Sequence, residues 1–181
     1  MTTTDWAVLP THPDHPDAVA LIEAYYEELV ARYHDRPARP GEVVAAMADE
    51  PSGDLTAPTG FFVVARRHGR PAACAGLRFR PDWAELTRVY VAPAHRGHGG
   101  GAALLAAVEE RARAAGITRI RLDTRSDLVE ARALYARHGY REIPAFSHGP
   151  YAQHWFEKVL ELTTCAPHAK QEEEVESPRL N

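Results

Sequence analysis

LTRVYVAPAHRGHGGGAALLAAVEERARAAG, running from Leu86 to Gly116, decides the reading of this chain. An apolar strand-like run, LTRVYV, gives way to Arg96-Gly97-His98-Gly99-Gly100-Gly101, and an Ala/Leu-rich helical stretch follows at once. Strand, glycines, helix is the order of a phosphate cradle. Glycines let backbone N–H groups approach an anion without interference from Cβ, the helix start adds the positive end of its dipole, and Arg96 adds a forked cation. The dipole contributes only about 0.3 to 2 kcal/mol, whereas a micromolar ligand requires about 8. Several charge-assisted bonds, at about 1.5 to 3 kcal/mol each, must therefore make up the difference, so the loop has to present its amides together.

The flanking residues separate the competing readings. A nucleotide P-loop would end in Gly-Lys-Ser/Thr to reach the outer phosphates and magnesium, and Gly100-Gly101-Ala102 stands there instead. A dinucleotide fingerprint G-x-G-x-x-A is filled by Gly97, Gly99 and Ala102, and Asp123 ends a later strand where a ribose-binding acid would sit. In that fold, however, the first glycine comes straight off the strand, and here Ala92 to Arg96 intervene. A plain turn needs fewer glycines than the four placed between Gly97 and Gly101.

With 181 residues, 45% of them hydrophobic and 25% charged, the chain suits one soluble domain with a substantial core. The net charge of −4 and the acidic run from Gln171 to Glu176 argue against a nucleic-acid or membrane surface. Cys74 lies in a strand-like run and Cys165 in the polar terminal segment, so a structural disulfide is not expected. Without a secretory or long apolar segment, the expected location is the cytoplasm. The pairs Arg66-Arg67 and Arg78-x-Arg80 read as solvated strand ends.

Periodicity predicts a strand over Asp5 to Leu9 and a helix opening at Pro16, with Val19, Ile22, Tyr26, Leu29, Val30 and Tyr33 on its apolar side. A short helix, EVVAAMA, follows. Phe61–Ala65 and Ala72–Phe79 read as a hairpin and Ala84–Val91 as the next strand. The central helix packs Leu104, Leu105, Val108, Ala112 and Ala115 on the sheet and stops at Gly116. Ile117–Asp123 is a further strand. Asp127 and Glu130 form a predicted capping pair for a helix through His138, and Tyr140–Ile143 and His154–Leu160 are the last strands. Residues 1–162 make one domain, and residues 163–181 read as a flexible acidic tail.

Four segments in order, AELTRVYVAPAHRGHGGGAALLAAVEERARAAG, ITRIRLDT, EARALYARHGY and HWFEKVL, together resemble the GNAT superfamily of N-acetyltransferases. Its acyl-donor motif, Arg/Gln-x-x-Gly-x-Gly/Ala, is filled by Arg96, Gly99 and Gly101. The resemblance implies an α/β (α+β) fold with a mixed, mostly antiparallel sheet of six or seven strands, splayed central strands, and helices on both faces. It implies acetyl-CoA as co-substrate, its pantetheine in the splay and its pyrophosphate on the loop Arg96, Gly97, His98, Gly99, Gly100, Gly101 and Ala102. Backbone N–H groups between Val89 and Val91 would polarise the thioester carbonyl. The chain departs from the family at Leu128, where many members carry asparagine.

The chemistry asks for a base and an acid. A lysine-like amine with a pKa of about 10.4 is neutral only about once in 2,500 at pH 7, and deprotonating it costs about 4.6 kcal/mol. Glu85 is the candidate base, since strict alternation puts it on one face with Thr87, Val89 and Val91. A solvated glutamate paired with a neighbouring arginine is the alternative for Glu85. Tyr135, in the helix position where the family commonly uses a tyrosine, is the candidate acid for the departing thiolate, or else a core tyrosine. His95 and His98 lie in a loop without a third ligand nearby, so no metal is expected. A Ser-His-Asp hydrolase reading lacks its nucleophile elbow, G-x-S-x-G.

Tyr26, Trp83, Phe146 and Tyr151 are candidate acceptor-pocket residues, with Tyr25 and His148 beside them. The expected partner is a small-molecule amine, with neither nucleic acid nor membrane involved, and exposed edge strands allow a homodimer. The alternative functions are a non-catalytic acyl-CoA sensor or assembly module and a dinucleotide-binding protein.

Overall fold

The computed structural model describes residues 5–161. The tail expected over 163–181, Cys165 included, lies outside the described residues.

Seven strands form one sheet in the order β1-β2-β3-β4-β5-β7-β6. In chain order the elements are β1 (Trp6–Pro10), α1 (Pro16–His34), α2 (Pro40–Asp49), β2 (Gly60–Arg67), β3 (Arg70–Phe79), β4 (Ala84–Val91), α3 (Gly100–Ala114), β5 (Arg119–Thr124), α4 (Val129–Arg137), β6 (Arg141–Ile143) and β7 (His154–Val159). All pairings are antiparallel except β4 with β5. This is the mixed, mostly antiparallel sheet that the sequence predicts.

Local chemistry accounts for the elements. Pro16 supplies its fixed φ to the first turn of α1, where the His15 ring accepts the Asp17 N–H at 3.2 Å. Asp35, in the left-handed region, donates its N–H to the Ala31 carbonyl and closes the helix. The buried face of α1 is Ala18, Leu21, Ile22 and Tyr26, while Tyr33 is exposed. β2 and β3 are joined by His68 and Gly69, both at positive φ, which matches the right-handed twist of a hairpin. In α3, Leu104, Leu105, Val108 and Ala112 are buried as predicted. Ala115 is exposed, because the helix is already closing there and Gly116, at φ 73°, turns the chain away.

The sheet separates two apolar layers. One holds α3 and α4 against Ala84, Leu86, Ile120, Leu122 and Phe156, and the other packs α1 and α2 over Phe62, Val64, Cys74 and Tyr90. Each fully buried leucine or phenylalanine contributes about 1.5 to 3 kcal/mol. The capping pair predicted at the start of α4 does not form. Leu128 takes that position without a side-chain cap, Asp127 chelates Arg125 at 2.8 and 2.9 Å, and Glu130 binds Arg32. Ion pairs with guanidinium groups satisfy these carboxylates better than backbone amides in water would.

Two departures from regular pairing shape the centre of the sheet. β4 and β5 pair only at Ala84↔Ile120 and Glu85↔Arg121, although both strands continue. Beyond Glu85, the β5 edge of β4 is splayed open. On its other edge, Gly76 pairs with Thr87 but Cys74 pairs with Tyr90, so Arg88 and Val89 together oppose Ala75. This is a β-bulge with Arg88 at φ 55°. The extra residue resets the alternation. Val89 and Val91 therefore pack toward α3, and do not share the face of Glu85 and Thr87 as strict alternation predicted.

Candidate active site

The glycine loop is built by two kinds of glycine. Gly97 and Gly99 sit at φ 77° and 82°, and a Cβ on either would meet nothing within 4 Å. They supply left-handed backbone beside open space. Gly100 and Gly101 are needed for close packing, since a Cβ would come within 2.6 Å of the Trp6 ring at one and 2.8 Å of Leu134 at the other. The first helical bond of α3 runs from the Ala103 N–H to the Gly99 carbonyl, which leaves the amides of Gly100, Gly101 and Ala102 without intrahelical partners. The Trp6 indole N–H fixes the loop by donating to the His98 carbonyl at 2.7 Å, and the His98 ring lies 2.8 Å from the Arg96 carbonyl. Open, amide-lined and at a helix N-terminus, the cradle fits a pyrophosphate.

Arg96 is turned from the cradle toward α1. Its Nη2 meets Glu28 at 2.5 Å, its Nε donates to the Val91 carbonyl at 2.9 Å, and its guanidinium lies 5.9 Å above the Tyr90 ring. Glu28 also holds Arg32 at 2.9 Å, and Arg32 continues to Glu130 and the Asp127 carbonyl. An ionic strap thus runs from the glycine loop across α1 to α4. A phosphate anion must compete with Glu28 for Arg96. Glu28→Gln is expected to tighten coenzyme A binding by up to about fivefold, the scale of one surface ion pair. Calorimetry at low and high salt should show the gain shrinking as salt rises.

Across the splay stand a carboxylate and a phenol. Asp123 lies on β5 two residues past Arg121, the last residue of that strand to pair with β4. It accepts a hydrogen bond from Ser147 at 3.0 Å, and the Trp155 indole donates to the same Ser147 oxygen at 2.8 Å. Asp123 is exposed at the strand end, and partial desolvation raises its pKa, the Ser147 bond opposes the rise, and Glu85 and Glu50 add like charge. Tyr135, on α4, is buried against Tyr140 and Phe156 at centroid distances of 5.8 and 6.0 Å. Burial holds its pKa above the ordinary tyrosine value, with Tyr25 and Asp123 adding to the effect. Asp123 belongs to the α1 face and Tyr135 to the α3 and α4 face.

Glu85 is heavily engaged. Arg80 meets one oxygen at 2.6 Å and Arg78 the other at 3.4 Å. Arg78 is not a solvated strand end. It is 6% exposed and held by Asp54 at 2.7 Å, Glu50 at 3.0 Å and the Pro51 carbonyl at 3.1 Å. Arg66 pairs with Asp17, and it and Arg67 are partly buried. Arg88, which nothing in the sequence pattern singles out, is buried at the bulge. Its guanidinium donates to the Glu50 carbonyl, Thr87 and Ser52 at 2.6, 2.8 and 3.2 Å, and lies 5.0 Å from the Tyr26 ring centre.

Of the predicted acceptor residues, Trp83 and Phe146 meet edge to face at 5.3 Å, with Arg121 stacked on both. Tyr151 meets Tyr33 at 5.3 Å, at the end of α1. Tyr26 is instead a core residue whose hydroxyl donates to the Glu50 carbonyl at 3.2 Å. Its neighbour Tyr25 faces the cleft charges, and burial pushes its pKa up to about 12 against the lowering effect of Arg88. His148 is exposed. Among the described residues, no cluster of three or more His, Cys, Asp or Glu is placed to hold a metal, and no helix is long and apolar enough to cross a membrane.

The profile of the acetyltransferase (GNAT) family matches residues 18–140, which span both apolar layers, the splay and the glycine loop. The chain belongs to the GNAT acetyltransferase family. It is 35% identical over 92 residues to a protein named IAA acetyltransferase from Azospirillum brasilense, a match covering 50% of this chain and 59% of that protein. The chain thus spans about three fifths of that relative's length. A solved structure assigned as an acyl-CoA N-acyltransferase, from Klebsiella pneumoniae, shares 27% identity at a TM-score of 0.67, covering 86% of this chain and 98% of the other. The PaiA N-acetyltransferase of Thermoplasma acidophilum, solved with coenzyme A, has the same fold at 17% identity and a TM-score of 0.67, covering 84% and 99%. This GNAT chain therefore belongs to a family of acyl-CoA-using acyltransferases. The dinucleotide reading falls away, because the glycine loop serves a GNAT sheet.

Proposed function

We propose that this GNAT protein transfers the acetyl group of acetyl-CoA to the primary amine of a small molecule, by direct attack of the amine on the thioester. The observation that carries the reading is the early end of β4–β5 pairing after Glu85↔Arg121, directly before the bulge and the glycine loop. It leaves unpaired strand edge where a thioester carbonyl needs a donor, and a cradle at the distance of a short strand where a pyrophosphate needs amides. The name of the Azospirillum relative supports acetyl as the group moved. The aromatic pair Trp83 and Phe146, with Asp123, Glu85 and Glu50 nearby, suits a compact amine with an apolar body.

Within this reading Asp123, in place of Glu85, is the base. A carboxylate with a raised pKa takes a proton more readily, and Asp123 has no arginine bound to it among the described hydrogen bonds. Tyr135 stays protonated across the working range and donates to the sulfur as negative charge develops there. Glu85, tied to Arg78 and Arg80, keeps the strand start in place.

Calorimetric titration with acetyl-CoA, with nicotinamide dinucleotide as comparator, tests the proposal. Micromolar binding of acetyl-CoA alone is expected, and Gly99→Val should abolish it, because valine cannot hold φ 82° without strain. Thiol release on adding amines then reports turnover. Binding without any thiol release would favour the sensor reading instead.

A further inference from the structure

We propose that Ser126, His154 and Glu142 form a second nucleophilic centre, one that accepts acyl groups from small activated esters onto the Ser126 hydroxyl. The three residues come from separate segments. Ser126 lies just past β5, His154 opens β7, and Glu142 is in the middle of β6. Strand register brings them together. Thr124 pairs with His154, and Glu142 pairs with Phe156, two residues along β7 and so on the same face as His154. Asp123 and its partner Trp155 occupy the opposite face, so this centre does not share the base of the amine site.

The distances are those of a nucleophile, a base and an orienting acid. Ser126 Oγ lies 3.1 Å from His154 Nε2, and His154 Nδ1 lies 2.6 Å from Glu142 Oε1. The tautomer follows from the partners. An ionised carboxylate can only accept, so Nδ1 carries the proton toward Glu142. In the neutral ring Nε2 then holds the lone pair, and the Ser126 hydroxyl must donate to it. The loop is pinned. The Ser126 N–H donates to Gln153 Oε1 at 2.8 Å, and the Gln153 N–H donates to the Thr124 carbonyl at 3.0 Å. Arg132 reaches the Ser126 carbonyl with Nη1 at 3.4 Å, and its Nε is buried without a partner.

The reaction balances within these groups. Ser126 Oγ bonds to the acyl carbon as its proton passes to His154 Nε2, the bond from carbon to the leaving oxygen breaks, and the leaving group departs with that proton, or as the free anion of an acidic phenol while His154 gives the proton to solvent. Water then repeats the sequence on the acyl-serine, releasing the carboxylic acid and restoring Ser126. The serine is exposed, which admits small solutes. The glutamate side chain is 54% exposed, so strongly activated acyl donors are the substrates this centre suits.

A fluorophosphonate probe applied to the intact protein tests this. Trypsin would release Ser126–Arg132, in which Ser126 is the only hydroxyl-bearing residue. The label is expected on that peptide, and His154→Asn should slow labelling about 100-fold or more, the usual reach of a general base. Ser126→Ala should abolish protein-dependent hydrolysis of p-nitrophenyl acetate while leaving coenzyme A binding and the melting temperature unchanged. An unlabelled Ser126 peptide, labelling unaffected by His154→Asn, or hydrolysis that survives Ser126→Ala would each overturn the proposal. None of these readouts uses acetyl-CoA as donor, so failure here is separable from failure of the amine-transfer reading.

Discussion

Asp123→Asn is expected to lower kcat/KM for amine acetylation by about 10²- to 10⁴-fold, the range supplied by a positioned general base. Asparagine preserves the size of the side chain and can still accept from Ser147, so acetyl-CoA affinity should be unchanged. The pH profile is the sharper readout. A base must be ionised, so the wild-type rate should fall on the acid side through a pKa above the ordinary aspartate value, where desolvation places Asp123. The variant should lose that limb. Stability should move the opposite way. A carboxyl whose pKa is raised by folding contributes stability that is fully present below its unfolded pKa and is lost as pH rises through the folded one. An asparagine side chain never ionises, so the variant should be more stable than wild type at neutral pH, with the difference narrowing in acid. Glu85→Gln is expected to cost less than tenfold, because that carboxylate is tied to two arginines. If the larger loss and the missing limb belong to Glu85→Gln, the base is Glu85.

What the sequence made legible was local, and what it hid was made by register. β4 and α3 follow from apolar period and glycine placement, and the cradle follows from both. Glycine content did not reveal that Gly100 and Gly101 serve packing against Trp6 and Leu134, because that depends on where β1 and α4 land. The face of Val89 and Val91 was misread because a bulge adds one residue, and nothing in LTRVYV distinguishes Arg88 as the one that absorbs it. Asp123 reads in ITRIRLDT as a strand end, with a role only in the dinucleotide reading. It becomes part of a site only because β4 leaves β5 two residues earlier. Ser126, Glu142 and His154 share no motif, and three strands must pair before they meet.

Arg88→Met is expected to destabilise the fold by about 3 kcal/mol, on the scale of losing charged hydrogen bonds to a buried group. Methionine can fill much of the channel lined by Tyr25 and Tyr26, but it makes none of the bonds to the Glu50 carbonyl, Ser52 and Thr87. Glu50 is half-exposed and can rehydrate its carboxylate, which keeps the loss below that of a fully stranded buried charge. Denaturant unfolding should therefore show a lower midpoint with an unchanged slope. Arg88→Gly separates the two roles of the residue. It removes the same guanidinium but relieves a left-handed backbone that costs a non-glycine residue about 1 to 2 kcal/mol. It should unfold at a higher denaturant concentration than Arg88→Met if backbone strain outweighs the packing that methionine retains. Activity should follow the anchoring instead. Arg88 ties the segment after α2, through Glu50 and Ser52, to the bulge beside the splay, so both variants should lose amine acetylation more than coenzyme A binding. An arginine that served stability alone would leave the turnover of the folded fraction untouched.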